Sequence, residues 1–228
     1  MIKFFFFLPV HNGGIYLHQC VQSILSQSYK NFELIIFNNF STDNSLDFLC
    51  DIRDPQIRVI DTKEKLDICD SWDNINKYTI NNIFCEYDFM ILVGHDDYFS
   101  KDYLKSILLL IENYPQASVY NTHFNLVDSN SKFIRRCKPF PKFLNYMDYL
   151  NLRCWNHIDI FGTGYAFRVN DFKLVGGINI TFPLLLFSDD LLFTKLSKLS
   201  FMVISDSTEY YYRVHNSTSN INNFIFGL

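Results

Sequence analysis

The chain has 228 residues, enough for one sizeable domain, and 48% hydrophobic against 19% charged residues excludes disorder as a description of the whole. Its 20 Lys and Arg against 24 Asp and Glu leave a net charge of −4, without the basic excess of a nucleic-acid binder. Aromatic residues reach 18%, with 24 Phe and 14 Tyr, so an unusually aromatic interior is expected.

In chain order, Lys3–Val10 is a continuous apolar run suited to a strand buried on both faces. Gly13-Gly14 ends it, and Leu17, Cys20, Val21, Ile24 and Leu25 follow at helical spacing. Phe32–Phe37 reads as a second buried strand. Ser41-Thr42-Asp43 then offers capping oxygens to a short helix carrying Leu46, Leu49 and Cys50. Ile57–Ile60 is a third strand, Ser71–Ile80 a helix, and Asp88–Val93 a fourth strand. Ser100 is expected to cap a helix with Tyr103, Leu104, Ile107, Leu108 and Ile111 on one face. This alternation predicts the α/β class, with a mostly parallel sheet and right-handed crossovers. From Ala117 the pattern changes, and Ser118–Asn121, Phe124–Val127 and Phe133–Arg136 read as separate strands around the turn Asp128–Ser131. One domain over 1–228 is expected, with a first half at 1–121 and a smaller mixed half at 122–228. A polar tail from Asn216 ends in Phe224-Ile225-Phe226, expected to pack on the body or fray.

The six cysteines (Cys20, Cys50, Cys69, Cys85, Cys137 and Cys154) form no C-x-x-C pair and match no zinc spacing. They read as reduced core thiols of a cytoplasmic protein. The apolar run Phe4–Leu8 is short for a signal peptide, and Pro9-Val10-His11-Asn12 stands where a cleavage site would. No stretch approaches the roughly 20 apolar residues of a membrane span.

Ligands of open parallel sheets bind beyond the carboxyl ends of the strands. Four polar clusters are predicted to fall there: Pro9–Asn12, Asn38–Asp43, Asp61–Lys63, and Gly94-His95-Asp96-Asp97. Together they outline a crevice the size of a nucleotide. Carboxylates ending a buried strand are costly unless paired, hydrated or metal-bound. A further acidic pair, Asp189-Asp190, precedes the helical repeat Leu191, Leu192, Phe193 and Leu196, where either residue suits an N-cap.

Several of these pieces fall into a known order. Phe6–Asn12, Tyr16-Leu17, Ser23–Tyr29, Phe32–Ile36 and Ser41-Thr42-Asp43 together resemble the opening of the family 2 glycosyltransferases. The likeness continues through Asp96-Asp97-Tyr98 and Ser188-Asp189-Asp190 to Tyr212-Arg213-Val214-His215. It implies a GT-A fold and inverting transfer of a sugar from a nucleotide donor, a UDP-sugar foremost. By this resemblance Pro9, His11 and Asn12 lie against the nucleotide base, and Asn38 hydrogen-bonds it. Asp96 would bind a divalent cation, Mn or Mg, with His215 approaching the metal or diphosphate. His95 and Asp97 belong to the same donor site. His95 reaches the diphosphate or merely fills the turn; Asp97 has a second reading as a first-turn acid of the helix near Ser100. Arg213 would pair with phosphate or cap a strand end.

Asp189 is implied as the general base, held ionised by its helix dipole, with Asp190 as the alternative base. The sequence departs from the family's common pattern: His11 stands for a Tyr, Asn38 for an Asp, Asn39-Phe40 for Asp-Gly, Gly94 for the first carboxylate of a metal-binding Asp-x-Asp, and Ser188 for a Glu. Asn38, Gly94 and Ser188, each replacing a residue often acidic in the family, motivate a second reading, a catalytically impaired nucleotide-sugar binding protein. The implied acceptor is a glycan or lipid-linked saccharide in surface polysaccharide synthesis, with no nucleic-acid partner. The run Phe182–Phe187 reads either as core or as a peripheral contact with the inner face of the cell membrane. Trp72 and Trp155 read as core or as sugar platforms.

Overall fold

A computed structural model describes residues 1–214 of the chain. In its first part β1 (Lys3–Val10), α1 (Gly14–Leu25), β2 (Phe32–Asn38), α2 (Asn44–Asp51), β3 (Ile57–Asp61), α3 (Ile68–Asn81) and β4 (Asp88–Leu92) alternate as expected. Then follow β5 (Tyr98–Phe99), α4 (Tyr103–Asn113), β6 (Val119–Val127), β7 (Phe133–Arg136), β8 (Phe143–Leu144) and α5 (Tyr146–Cys154). The last elements are β9 (Ala166–Arg168), α6 (Val169–Leu174), α7 (Ser188–Leu199) and β10 (Met202–Arg213).

One sheet runs through the whole, in the order β3-β2-β1-β4-β9-β6-β10-β5, with β7 added on β6 and β8 on β10. The pairs β1–β2, β2–β3, β1–β4 and β6–β10 are parallel. β9 is antiparallel to both its neighbours, joining the two parallel parts. β6 runs unbroken through Asn121, so the two strands expected on either side of residues 122–123 are one.

β1 sits between β2 and β4, which is why its apolar run is continuous. Successive side chains point to opposite faces, and both faces are covered. Phe6 meets Phe32 and Phe99 at 5.9 and 5.5 Å between ring centres. Phe7 points the other way, to Phe37 and Tyr78 at 6.1 and 5.9 Å. Each fully buried Phe contributes about 1.5–3 kcal/mol. The aromatic surplus is therefore largely core, and Tyr103, Tyr120, Tyr149 and Tyr210 are buried with it.

Several helix starts differ from expectation. α3 begins at Ile68, a turn early, because the Asp67 carboxylate accepts the Asp70 N–H at 2.8 Å. Ser100 is not the cap of α4. That position is Asp102, while the Ser100 hydroxyl donates to the Glu209 carboxylate and ties β5 to β10. All six cysteines are free, but only Cys20 and Cys137 are buried, and Cys50, Cys85 and Cys154 are exposed. The core-thiol reading is thus corrected for those three. Among the described residues no helix is long and apolar enough to cross a membrane.

Gly164 has φ +79, and a Cβ there would stand 2.6 Å from the Tyr210 ring. Gly164→Ala combines left-handed strain with overpacking, so a loss of about 2–4 kcal/mol is expected. Denaturant unfolding checks it; a change within about 0.5 kcal/mol would contradict this packing.

Candidate active site

Because β3, β2, β1 and β4 are adjacent and parallel, the four polar clusters end on one sheet edge. Pro9 lies inside β1, opposite Phe37, with its ring buried. His11 follows the strand, half-buried, with Nδ1 2.8 Å from the Asn39 carbonyl oxygen. A carbonyl only accepts, so Nδ1 carries a proton and donates here. Asn12 is exposed and left-handed at φ 51. Its side-chain oxygen accepts the Thr42 N–H at 2.8 Å, and its own N–H donates to Ser41 Oγ at 3.1 Å. The first two loops are thereby laced together.

Asn38 is only 2% exposed, and both ends of its amide are engaged within the protein. Oδ1 accepts the Ser41 N–H at 3.2 Å, and Nδ2 donates to Asp61 Oδ1 at 2.7 Å. The carbonyl expected to face a ligand is thus used inside the protein. Asp61, at the exposed end of β3, presents the carboxylate at this edge, and its Oδ2 has no hydrogen-bond partner among the described residues. Asn39 fastens the next loop, accepting the Leu66 N–H at 2.8 Å and donating to its carbonyl at 2.9 Å.

The turn after β4 is shaped by glycine. A Cβ at Gly94 would lie 2.7 Å from Asp96 Oδ1 and 3.0 Å from Asp97 Oδ2. The missing first carboxylate of the expected Asp-x-Asp therefore coincides with a turn where a side chain would crowd the carboxylates of Asp96 and Asp97. The His95 ring packs against Gly13 of the first loop. Asp96 is half-buried at the crevice, and its backbone carbonyl accepts Arg213 Nε at 2.8 Å.

Asp97 faces inward. It is 2% exposed, with Oδ2 accepting from the Tyr210 and Thr163 hydroxyls and Oδ1 accepting the Arg213 N–H at 2.9 Å. Burial, reinforced by the neighbouring Asp96 charge, pushes its pKa well above the usual carboxylate value. The reading of Asp97 as a first-turn acid is corrected, since α4 starts only at Tyr103: buried rather than turned to the crevice, it bolts the β4 turn to β10. Of the two readings of Arg213, the strand-end one fits. It closes β10, is buried, and its guanidinium donates to Asp96 O, Asp128 O, Ser129 O, Ser131 Oγ and Gln19 Oε1. His215 lies outside the described residues.

α7 separates the two acidic residues of its first turn. Asp190 accepts Arg153 Nε and Nη2 at 2.7 and 3.0 Å and the Tyr149 hydroxyl at 3.0 Å, docking α7 on α5. Asp189 keeps one open oxygen: Oδ1 accepts the Asp190 N–H at 2.9 Å, and Oδ2 has no partner among the described residues. Its pKa is raised to about 6, first by burial and then by the Asp190 charge. The helix dipole does not win here; desolvation outweighs it. Ser188, in the place expected of a Glu, is buried and donates to the Asn179 carbonyl at 2.5 Å.

Just ahead of α7 the backbone is strained. Leu184, Leu185 and Phe187 are all left-handed, at φ 54, 58 and 64. Leu184 and Phe187 are 52% and 59% exposed, which overturns the core reading for these two side chains. Trp155, at the end of α5, is 74% exposed and also not core, whereas Trp72 is partly buried and packs against the hydrophobic core. The sequence carried no signal for the Gly162-Thr163-Gly164 segment, which lies between Asp97, Asp189 and Tyr210. Nor are Arg153 and Tyr149 recognisable before α5 is seen to pack on α7.

A mostly parallel sheet with a polar edge at its strand ends and an acidic turn after β4 fits a GT-A glycosyltransferase scaffold. The profile of Glycosyl transferase family 2 matches residues 6–176, and the chain belongs to that family. Glycosyltransferase GlyG of Streptococcus pneumoniae is 25% identical over 129 residues, 55% of this chain and 40% of that protein. An uncharacterized glycosyltransferase of Haemophilus influenzae is 28% identical over 158 residues, 67% of this chain and 58% of that protein. The chain thus spans about half the length of these curated relatives. S. aureus TarS 1-349 has a similar fold, with a TM-score of 0.70 at 20% identity over 93% of this chain and 60% of that one. TarS 1-349 in complex with UDP-GlcNAc matches with the same TM-score and identity over 95% of this chain and 60% of that one.

Proposed function

We propose that the protein is an inverting, divalent-cation-dependent glycosyltransferase, moving a sugar from a UDP-sugar to a hydroxyl of a glycan or lipid-linked acceptor in surface polysaccharide synthesis. The observation that carries this reading is the division of labour in α7. Asp190 is neutralised by Arg153, while Asp189 keeps an open carboxylate with its pKa raised to about 6. A general base works best with a pKa near the operating pH, and Asp189 remains mostly ionised at neutral pH.

On the donor side, Pro9, His11 and Asn12 line the base end of the crevice. Asp61 takes the reading role expected of Asn38. Its single open oxygen suits the single N3–H of uracil, whereas the Watson–Crick edge of guanine has two donor groups to satisfy. His95 and Asp96 flank the diphosphate.

Among the described residues no group of three or more His, Cys, Asp or Glu is arranged to hold a metal ion. Asp96 fits a different arrangement, one hard oxygen ligand completed by donor phosphates and water, as Mg and Mn accept. Such an ion, when bound, neutralises charge on the departing diphosphate. His215 belongs to the same proposal.

The exposed Leu184 and Phe187 beside Asp189 suit a lipid-linked acceptor at a membrane surface, and a cytoplasmic site at its inner face is part of this reading. Titration of UDP in the presence and absence of Mn tests the donor site. Binding should require the cation and weaken at least about tenfold in Asp96→Ala. Equal affinity with and without Mn, and in the variant, would overturn it. Tight binding with no turnover on any UDP-sugar or acceptor would favour the binding-protein reading.

A further inference from the structure

Donor turn and proposed base lie on different elements, yet inversion needs the attacking hydroxyl and the leaving diphosphate held in line. One short segment touches what supports both. Gly162 packs on the base: a Cβ there would lie 3.2 Å from Asp189 Cβ and 3.7 Å from its Oδ2. Thr163, buried, places Oγ1 3.1 Å from Asp97 Oδ2 and 2.7 Å from the Tyr210 hydroxyl. Gly164 donates its N–H to the Leu92 carbonyl at 2.9 Å, at the end of β4, and its carbonyl accepts the Tyr103 hydroxyl at 3.2 Å. Its missing side chain lets the Tyr210 ring lie against the backbone. Three consecutive residues thus meet Asp189, Asp97 and Tyr210 in turn.

We propose that Gly162-Thr163-Gly164 is a strap that fixes Asp189 relative to the donor turn Gly94–Asp97, with Thr163 as its positioning residue. The inference rests on the reading of Asp189 as the base. Thr163 is buried; it acts through Asp97, whose neighbour Asp96 faces the donor, and through Gly162, which backs Asp189. The hydroxyl is the working group, since it alone bonds both Asp97 and Tyr210. A displacement of about 1 Å between reacting groups costs roughly a hundredfold in rate.

The test uses Thr163→Val, which keeps the shape and loses the hydroxyl, Thr163→Ser, which restores it, and Gly162→Ala, which pushes on Asp189. Turnover is followed as UDP release from a panel of UDP-sugars with Mn and p-nitrophenyl glycosides; donor affinity is followed by UDP titration. Thr163→Val and Gly162→Ala should lose about 10- to 100-fold in kcat while UDP affinity stays within about twofold, and Thr163→Ser should recover most of the loss.

A second readout needs no substrate. Asp189 is faced by Asp190 on its own helix, by Arg153 and Tyr149 on α5, and by Tyr165 beyond the strap. With those groups unchanged, carbon-13 NMR titration should find the Asp189 pKa falling from about 6 toward the ordinary value in Thr163→Val, as water reaches a loosened site. Unchanged kcat in both Thr163→Val and Gly162→Ala, or UDP affinity falling in step with kcat, overturns the strap. Should Thr163→Val fail to fold, Gly162→Ala decides alone. Asp189→Asn is measured beside them. If it keeps full transfer, the base assignment has failed whatever the strap does; if it alone is inactive, only the strap has failed.

Discussion

Asp189→Asn is expected to abolish transfer while leaving the donor site intact. Removing a general base costs about 10²- to 10⁴-fold in kcat, and UDP affinity should change by less than about twofold. The same carboxylate sets the acid limb of the wild-type profile. With a pKa of about 6, activity should fall tenfold per pH unit below that value and level off above it.

Stability moves oppositely. The folded-state pKa of Asp189 is raised, so its ionisation opposes folding: the penalty is absent below the unfolded value near 4 and complete above about pH 6. Asp189→Asn should therefore be more stable than wild type at pH 8, by up to roughly 3 kcal/mol. Urea melts at pH 8 and pH 4 check this, and the difference should shrink at the lower pH. An inactive but more stable variant would separate a catalytic carboxylate from a structural one. Asp190→Asn should behave as the structural case. It weakens the Arg153 and Tyr149 contacts and lowers stability at neutral pH.

The second large effect is expected from Gly94→Asp, which restores the Asp-x-Asp pattern on paper. A Cβ at this position falls 2.7 Å from Asp96 Oδ1 and 3.0 Å from Asp97 Oδ2. Both carboxylates would have to move, and a third negative charge would join two that already repel. The expected result is a loss of at least about tenfold in Mn-dependent UDP affinity and about 2–3 kcal/mol in stability. Titration of UDP with Mn, together with a denaturant melt, measures both. A gain in affinity would mean that the turn opens to admit the side chain and that Asp96 does not depend on glycine at residue 94.

The first four strands and α1 were legible because their signals are local. Phe4–Val10 and Phe89–Leu92 are apolar throughout since both faces of the sheet are covered, and Leu17, Cys20, Val21 and Ile24 mark one buried helix stripe. The polar strand ends were legible for the same reason. What failed were the directions of polar side chains. Asp96 and Asp97 are adjacent in sequence, and only partners 66 to 116 residues away turn the second inward. Asp189 and Asp190 are told apart only by Arg153, 37 residues earlier, on a helix with weak apolar periodicity. Asn38 looked free because its partner Asp61 is on another strand. β9, of three residues, carries too little pattern to be read, and it exists because β4 and β6 flank it.

The bolts between the β4 turn and β10 also bear on the order in which the molecule is completed. Asp97 is held by Tyr210 and by the Arg213 N–H, and the Asp96 carbonyl by the Arg213 guanidinium, across 113 to 117 residues of chain. Contacts that close loops of this length carry a large entropic cost and form late. β1 to β4 have all their mutual partners once Leu92 has been made, so the sheet edge that defines the crevice can assemble early. The acidic turn on that edge is finished only when β10 threads in beside β6. A chain still emerging from the ribosome would thus own its polar sheet edge well before it owned the finished acidic turn.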